Sequence, residues 1–391
     1  MPTTLRSEPR HPTPIVVVAP DSFKGSLSAH EVAEAIATGI RRVWHAAELR
    51  LLPLADGGEG TLEALLLNGG KRVRLHVRNA ASEPAEAVCG ILPDQSSVIE
   101  TAEIVGLTDA AGTRVSIEHR STLGMGDAIR AQLDQGARRI LIALGGSSTN
   151  DGGAGLLNAL GVRLLDEDGA SLPATPAALE KVAQVDISGL DSRLRQCELI
   201  AMTDVDNPLC GPHGASAMFG PQKGAKPSQI ASLDRALAHF ADLLEAAFGK
   251  RCRDTPGAGA AGGLGFALHA LGARFQPGAD VVAAQVGLDA ALDGAHWLIT
   301  GEGRSDEQTL HGKTPFVAGR HAREAGVPAS LLSGSIAAQA LPALNEYFSG
   351  CFSPSTGPMT LDAAIGNAKT LLEDGAEQLA RLFDAARYQR D

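Results

Sequence analysis

Seven times along this chain a short apolar run stops at a loop dense in glycine, serine and aspartate. Residues 15–19 run into Pro20-Asp21-Ser22-Phe23-Lys24-Gly25-Ser26, and residues 49–54 into Ala55-Asp56-Gly57-Gly58-Glu59-Gly60-Thr61. Residues 140–144 lead into 145–153, 199–202 into 203–208, and 297–300 into 301–306. Two weaker cases are 330–332 and 351–352. Short continuous apolar runs suit strands buried on both faces, the condition of a parallel sheet. Amphipathic segments stand between several of them. Ser28 to Trp44 carries a capping box, Ser28 with Glu31, and apolar Val32, Ile36, Ile40 and Val43 at helical spacing. Segments 228–248, 314–325 and 360–388 read as further helices. The alternation predicts an α/β fold with right-handed crossovers.

Residues 71–104 break the pattern. Val73, Leu75 and Val77 alternate with Arg72, Arg74 and His76; runs 86–92 and 97–104 follow, with a turn at Pro93-Asp94. That is the signature of a half-exposed antiparallel meander. With 391 residues, two domains are expected. We expect a doubly wound, flavodoxin-like parallel-sheet domain from residues 1–80 and 290–391. A mixed α/β domain, 81–289, is inserted in it.

Composition narrows the function. The net charge of −11 argues against a nucleic-acid partner, whose phosphates need a basic face. Cys89, Cys197, Cys210, Cys252 and Cys351 are odd in number and show no C-x-x-C pair, which reads as reduced thiols in a cytoplasmic protein. Residues 1–14 are polar and proline-rich, without the apolar core of a leader. The longest uncharged stretch, 255–273, is rich in glycine and carries His269, so no membrane span is expected.

Ligands of open α/β sheets sit outside the carboxyl ends of the strands, where these loops converge. The loops supply the carboxylates Asp21, Asp56, Glu59, Asp151, Asp204, Asp206, Glu302 and Asp306, and the cations Lys24, Lys223, Arg304 and Lys313. Phosphoryl transfer uses such a mixture: metal-holding carboxylates, cations, and amides that cradle oxyanions. Gly145, Gly146, Ser147, Ser148, Thr149 and Asn150 follow a strand and lead into an apolar helix, the setting of a phosphate cradle. The alternative is a tight turn capped by Asn150 or Asp151. Asp204 and Asp206 alternate at a strand end and could share Mg²⁺, or Asp206 could cap the turn before Asn207-Pro208. Gly312-Lys313-Thr314 resembles the end of a Walker motif, but residue 307 is Glu, so this is no P-loop; Lys313 stays a candidate phosphate contact. Residues 257–262 spell G-x-G-x-x-G, yet the charged segment before them is no strand, which favours close packing or a lid over a dinucleotide site. Neither an H-E-x-x-H nor a G-x-S-x-G pattern occurs.

Taken together, these segments resemble the bacterial non-P-loop glycerate kinase family. The resemblance rests on residues 19–27, 53–61, 145–153, 204–209, 219–225, 257–265 and 300–313, in order along nearly the whole chain. It implies transfer of the γ-phosphoryl of ATP to D-glycerate with Mg²⁺, most often giving 2-phosphoglycerate, at a site between two α/β domains. Two places depart from the pattern. Glu118-His119-Arg120-Ser121-Thr122 stands where an Asn-Pro would be usual, and Thr203 where Cys is common.

Chemistry then suggests roles. Arg304 and Lys24 would grip the glycerate carboxylate, and Asp306 would accept the hydroxyl proton. Asp56 joins the catalytic set. Asp204 and Asp206 would hold Mg²⁺, while residues 145–150 with Lys223 or Lys313 would hold the transferring phosphoryl group. Three alternatives remain open at this point: phosphorylation of the 3-hydroxyl, a nicotinamide-dependent hydroxy-acid dehydrogenase using residues 257–262, and a non-catalytic two-lobed sugar-acid binder.

Overall fold

The computed structural model describes residues 14–67 and 69–387; the proline-rich stretch 1–13 and Tyr388, the expected end of the last helix, lie outside the described residues. Strands are numbered in chain order. The chain opens with β1 (Ile15–Val18) and β2 (Glu48–Leu51). Then come β3 (Lys71–Arg78), β4 (Pro84–Ile91), β5 (Ser97–Glu100) and β6 (Arg139–Ala143). A short pair, β7 (Arg163–Leu165) and β8 (Gln184–Asp186), precedes β9 (Glu198–Met202) and β10 (Arg274–Gln276). The last are β11 (Trp297–Thr300), β12 (Arg304–Ser305), β13 (Ala329–Leu332), β14 (Ser335–Ile336) and β15 (Gly350–Phe352).

Contacts divide the chain into two compact units. The first joins the residues up to 55 with those from 282 onward, and the second is 56–281. The crossings expected from sequence lay near 80 and 290. β3 pairs antiparallel with β4 along its whole length, Lys71 opposite Ile91 through Arg78 opposite Pro84, and so goes with the second unit.

The first unit holds an all-parallel sheet in the order β2-β1-β11-β13-β15. Numbered within this sheet, that is 2-1-3-4-5, the flavodoxin-like order. Val16, Val17 and Val18 of β1, flanked by β2 and β11, are fully buried. The helix Ala29–Val43 starts as its capping box requires: the Glu31 amide donates to Ser28 Oγ at 3.2 Å, and the Ser28 amide donates to Glu31 Oε2 at 2.8 Å. It packs Val32, Ile36 and Ile40 into one core with Leu372, Ala376 and Leu379 of the helix Ala368–Arg387. The expected closing helix is in fact two, Leu361–Gly366 and Ala368–Arg387, because Gly366-Asn367 form a poor helix interior and Asn367 closes the first piece.

In the second unit the sheet order is β10-β9-β6-β5-β4-β3, parallel through the first four strands and antiparallel at both sides of β4. β5 stops at Glu100 and the chain turns into the helix Thr101–Val105, where sequence suggested strand to 104. Among the described residues no helix is long and apolar enough to cross a membrane.

Candidate active site

In the second unit residues 57 and 58 and the loops after β6 and β9 meet at the carboxyl edge of the sheet. The Gly145 amide donates to the Gly57 carbonyl at 3.1 Å, so residue 57 and the loop after β6 share a backbone bond. Residues 147–150 are all buried. Lys223, 4% exposed, reaches this turn from the short 3₁₀ segment Pro221–Lys223: its Nζ donates to Ser147 Oγ and to the Thr149 carbonyl, both at 2.8 Å. Burial pushes its pKa down to about 7, against the pull of Asp151. The Asn150 Nδ2 donates to Ser216 Oγ at 2.9 Å, while Asn150 Oδ1 and Thr149 Oγ1 are buried without a hydrogen-bond partner. A buried polar atom left unpaired in this way calls for a partner, which a ligand's polar groups could supply.

Asp151 is the anchor of the turn and not its reactive group. Its carboxylate accepts from the Thr122 amide at 2.8 Å, Thr122 Oγ1 at 2.9 Å, and the Gly153 and Gly155 amides at 3.1 Å. Gly262 shows what the G-x-G-x-x-G segment does. With φ +69° and a would-be Cβ 1.9 Å from the Thr149 carbonyl, it lays backbone directly against the turn, and its own carbonyl accepts from the Gly152 amide at 3.0 Å. The segment follows no strand, and its glycines serve close packing.

Asp56 accepts from the Gly58 amide at 3.1 Å. Asp204 Oδ1 accepts from the Gly278 amide at 3.0 Å, and Asp206 is exposed. Among the described residues no group of three or more His, Cys, Asp or Glu gathers in metal-holding geometry. Two loop carboxylates nonetheless suit Mg²⁺, which takes one or two from protein and completes its octahedron with phosphate oxygens and water.

In the first unit the strand order reverses between β1 and β11, the switch point at which such sheets bind ligands. The loop after β1 carries buried Asp21 and exposed Lys24; the loop after β11 carries Glu302, Arg304 and Asp306. The two are tied by the Asp21 amide donating to the Gly301 carbonyl at 2.8 Å. Arg304 is largely exposed, with Nε 3.6 Å from Asp306 Oδ2. Asp306 Oδ1 caps the 3₁₀ turn Glu307–Leu310, accepting from the Gln308 amide at 3.0 Å. Glu302, 7% exposed, accepts from Ser305 Oγ at 3.0 Å and Thr309 Oγ1 at 2.7 Å, with Lys313 Nζ 3.8 Å away. Burial raises its pKa, and Lys313 opposes the rise. Lys313 is the N-cap residue of the helix Thr314–Glu324, and Thr314 Oγ1 is buried without a partner.

Thus Lys24, Arg304, Asp306 and Lys313 stand on the first unit, and Asp56, residues 145–150, Lys223, Asp204 and Asp206 on the second. Sequence reasoning did not assign roles to Arg120, Glu302 or Glu100. Glu302 lay in a recognised loop, so its signal was available. Arg120 and Glu100 are bound to residues far along the chain and gave none.

Loops gathered at the carboxyl edges of parallel strands, one of them gripped by a buried lysine, define a doubly wound α/β protein whose loops suit an anionic ligand. Comparison with known proteins specifies which. The model of the glycerate kinase family matches residues 16–384. A glycerate kinase of Bacillus subtilis is 43% identical over 375 residues, covering 95% of this chain and 98% of its own. The glycerate 2-kinase of Escherichia coli is 39% identical over 356 residues, covering 90% and 93%. A crystal structure described as glycerate kinase 2 from Salmonella typhimurium LT2 superposes with a TM-score of 0.85 at 40% identity, covering 96% of this chain and all of that one. The chain belongs to the glycerate kinase family.

Proposed function

We propose that this chain is a cytoplasmic kinase that transfers the γ-phosphoryl group of ATP to the 2-hydroxyl of D-glycerate, giving 2-phosphoglycerate and ADP. The observation that carries the reading is the buried turn 147–150 gripped by Lys223, with Thr149 Oγ1 and Asn150 Oδ1 unpartnered. The relatives named as glycerate kinases, one of them a 2-kinase, support the acceptor and the hydroxyl chosen.

Residues 145–150 and Lys223 would receive the nucleotide phosphates, and Lys313 a further phosphoryl oxygen. Asp204 and Asp206 would hold Mg²⁺, which neutralises charge on the phosphate chain when bound. Arg304 and Lys24 would bind the glycerate carboxylate, the guanidinium in its bidentate fork. Asp306, with Oδ2 left from its cap, would take the hydroxyl proton, and Asp56 would orient groups at the adjoining loop. Positioning and charge stabilisation do most of the work in phosphoryl transfer, so such a set suffices.

The test is ADP release coupled to NADH oxidation, with D-glycerate as acceptor and the product's phosphate position read by ³¹P and ¹³C NMR. Phosphate on carbon 2 supports the reading. Phosphate on carbon 3 moves the acceptor hydroxyl, and absence of glycerate-dependent ADP overturns the activity.

A further inference from the structure

We infer that Arg120 is a positioning residue that locks Lys223 and the turn 147–149 into a single anion cradle. The inference rests on the reading of that turn given above. Arg120 is 7% exposed, and its hydrogen bonds among the described residues all end on backbone carbonyls. Nε donates to Val115 at 3.0 Å and Nη2 to Thr113 at 3.0 Å, which fixes the guanidinium plane. Nη1 then bridges two distant segments, donating to the Ser148 carbonyl at 3.2 Å and to the carbonyl of Lys223 itself at 2.9 Å.

The two cations therefore take consecutive carbonyls of one turn. Arg120 holds Ser148, and Lys223 Nζ holds Thr149. Removing the guanidinium leaves the Ser148 and Lys223 carbonyls buried side by side with no donor, which favours opening of the turn and release of the lysine backbone.

A neutral brace would serve if holding the turn were the whole task. A buried cation with no carboxylate on it is costly, and it is tolerated where an anionic ligand completes the charge balance. The groups facing Lys223 are Asp151, Arg120 and the Ser147 hydroxyl. With Lys223 protonated, Asp151 is one negative charge against two positive ones. The balance left over is positive, as a nucleotide polyphosphate requires. Arg120 also holds the proton affinity of the Lys223 ammonium down, a coupling that a purely structural brace would not have.

The experiment compares the unsubstituted chain with Arg120→Gln, Arg120→Lys, Lys223→Met and the Arg120→Gln/Lys223→Met pair. ATP affinity is measured by calorimetry, and kcat and KM by ADP release across pH. Glycerate-dependent ADP release by the unsubstituted chain tests the underlying reading; differences among the variants test the inference. Arg120→Gln should weaken ATP binding tenfold or more, with a smaller loss in kcat. It should also move the pH limb belonging to Lys223 upward. In the Lys223→Met background the same change should cost less than twofold. Arg120→Lys keeps the charge but cannot fork between two segments, so its pH limb should stay while ATP binding weakens several-fold. ATP affinity within twofold of the unsubstituted chain in folded Arg120→Gln overturns the inference, as does full multiplication of the two effects in the double variant. If Arg120→Gln does not fold, Arg120→Lys decides, and unsubstituted-chain affinity there overturns it equally.

Discussion

Lys223 and Thr149 lie 74 residues apart and meet at 2.8 Å, ammonium to carbonyl, in a site from which water is almost wholly excluded. An ammonium in that setting is held by dipoles and needs a nearby anion to keep its proton.

ATP binding should therefore be linked to proton uptake at Lys223. A lysine whose pKa is lowered on folding contributes stability above its ordinary value, near 10.5, and loses it as pH falls through about 7. Above pH 7 the group is largely neutral in the free protein, and a polyphosphate bound beside it would recharge it. Calorimetric titrations with ATP at pH 8 in HEPES and in Tris should differ in enthalpy by the uptake of up to one proton. Lys223→Met should abolish the difference and weaken ATP binding tenfold or more.

Asp306→Asn should fold normally, because Asn caps a turn as well as Asp. Turnover should fall a hundredfold or more with little change in KM for glycerate. Near-unsubstituted turnover in the ADP-release assay would remove Asp306 as the proton acceptor.

Arg304 is exposed and paired only loosely with Asp306. Arg304→Ala should leave the melting temperature unchanged and raise KM for glycerate tenfold or more. Arg304→Lys should recover part of that loss, since a point charge replaces a fork.

Glu100 is buried at the end of β5, where its carboxylate accepts from the Gly60 amide at 3.1 Å and the Leu62 amide at 2.9 Å. Burial raises its pKa to about 7. A carboxyl raised on folding contributes stability below its ordinary value near 4.5, and loses it as pH rises through 7. Urea unfolding at pH 5 and pH 8 should show a loss on the order of 3 kcal/mol from this group. Glu100→Gln should flatten that difference.

Gly262→Ala tests the packing of the glycine segment. The added Cβ would meet the Thr149 carbonyl at 1.9 Å from a left-handed backbone. Melting temperature and ATP affinity should both fall, since the atom displaced belongs to the cradle.

Much of this was legible in the sequence, for physical reasons. The runs 15–19, 140–144 and 297–300 announce buried parallel strands because no polar residue interrupts them, and β1, β6 and β11 stand there. Ser28 and Glu31 announce a helix start because each satisfies the other's orphan backbone group, and both bonds form. The break at Gly366-Asn367 was hidden by amphipathic spacing that continues across it. The crossing expected near 80 cuts through the meander 71–104 that alternation had itself announced, whereas contacts gather residues 56–281 in one unit. The loop 145–150 and Lys223 were both candidates from sequence, but Arg120, which holds the two together, was not. Arg120 reaches Ser148 and Lys223 across 28 and 103 residues, and no local pattern encodes such distances.

The interruption of the first unit by the second bears on how the chain is made. β1 lies inside its sheet between β2 and β11, and its partner β11, Val16 beside Trp297, is specified only after the whole of 56–281. At about 5–20 residues per second, a ribosome delivers that partner roughly 10–60 s after β1 has emerged. During the wait β1 is a bare valine strand with an open edge on the β11 side, while the second unit has all its own strands and can close first. A nascent chain halted once residue 281 has cleared the ribosome should thus protect the second unit from protease and leave the first 55 residues cleavable and dependent on chaperones.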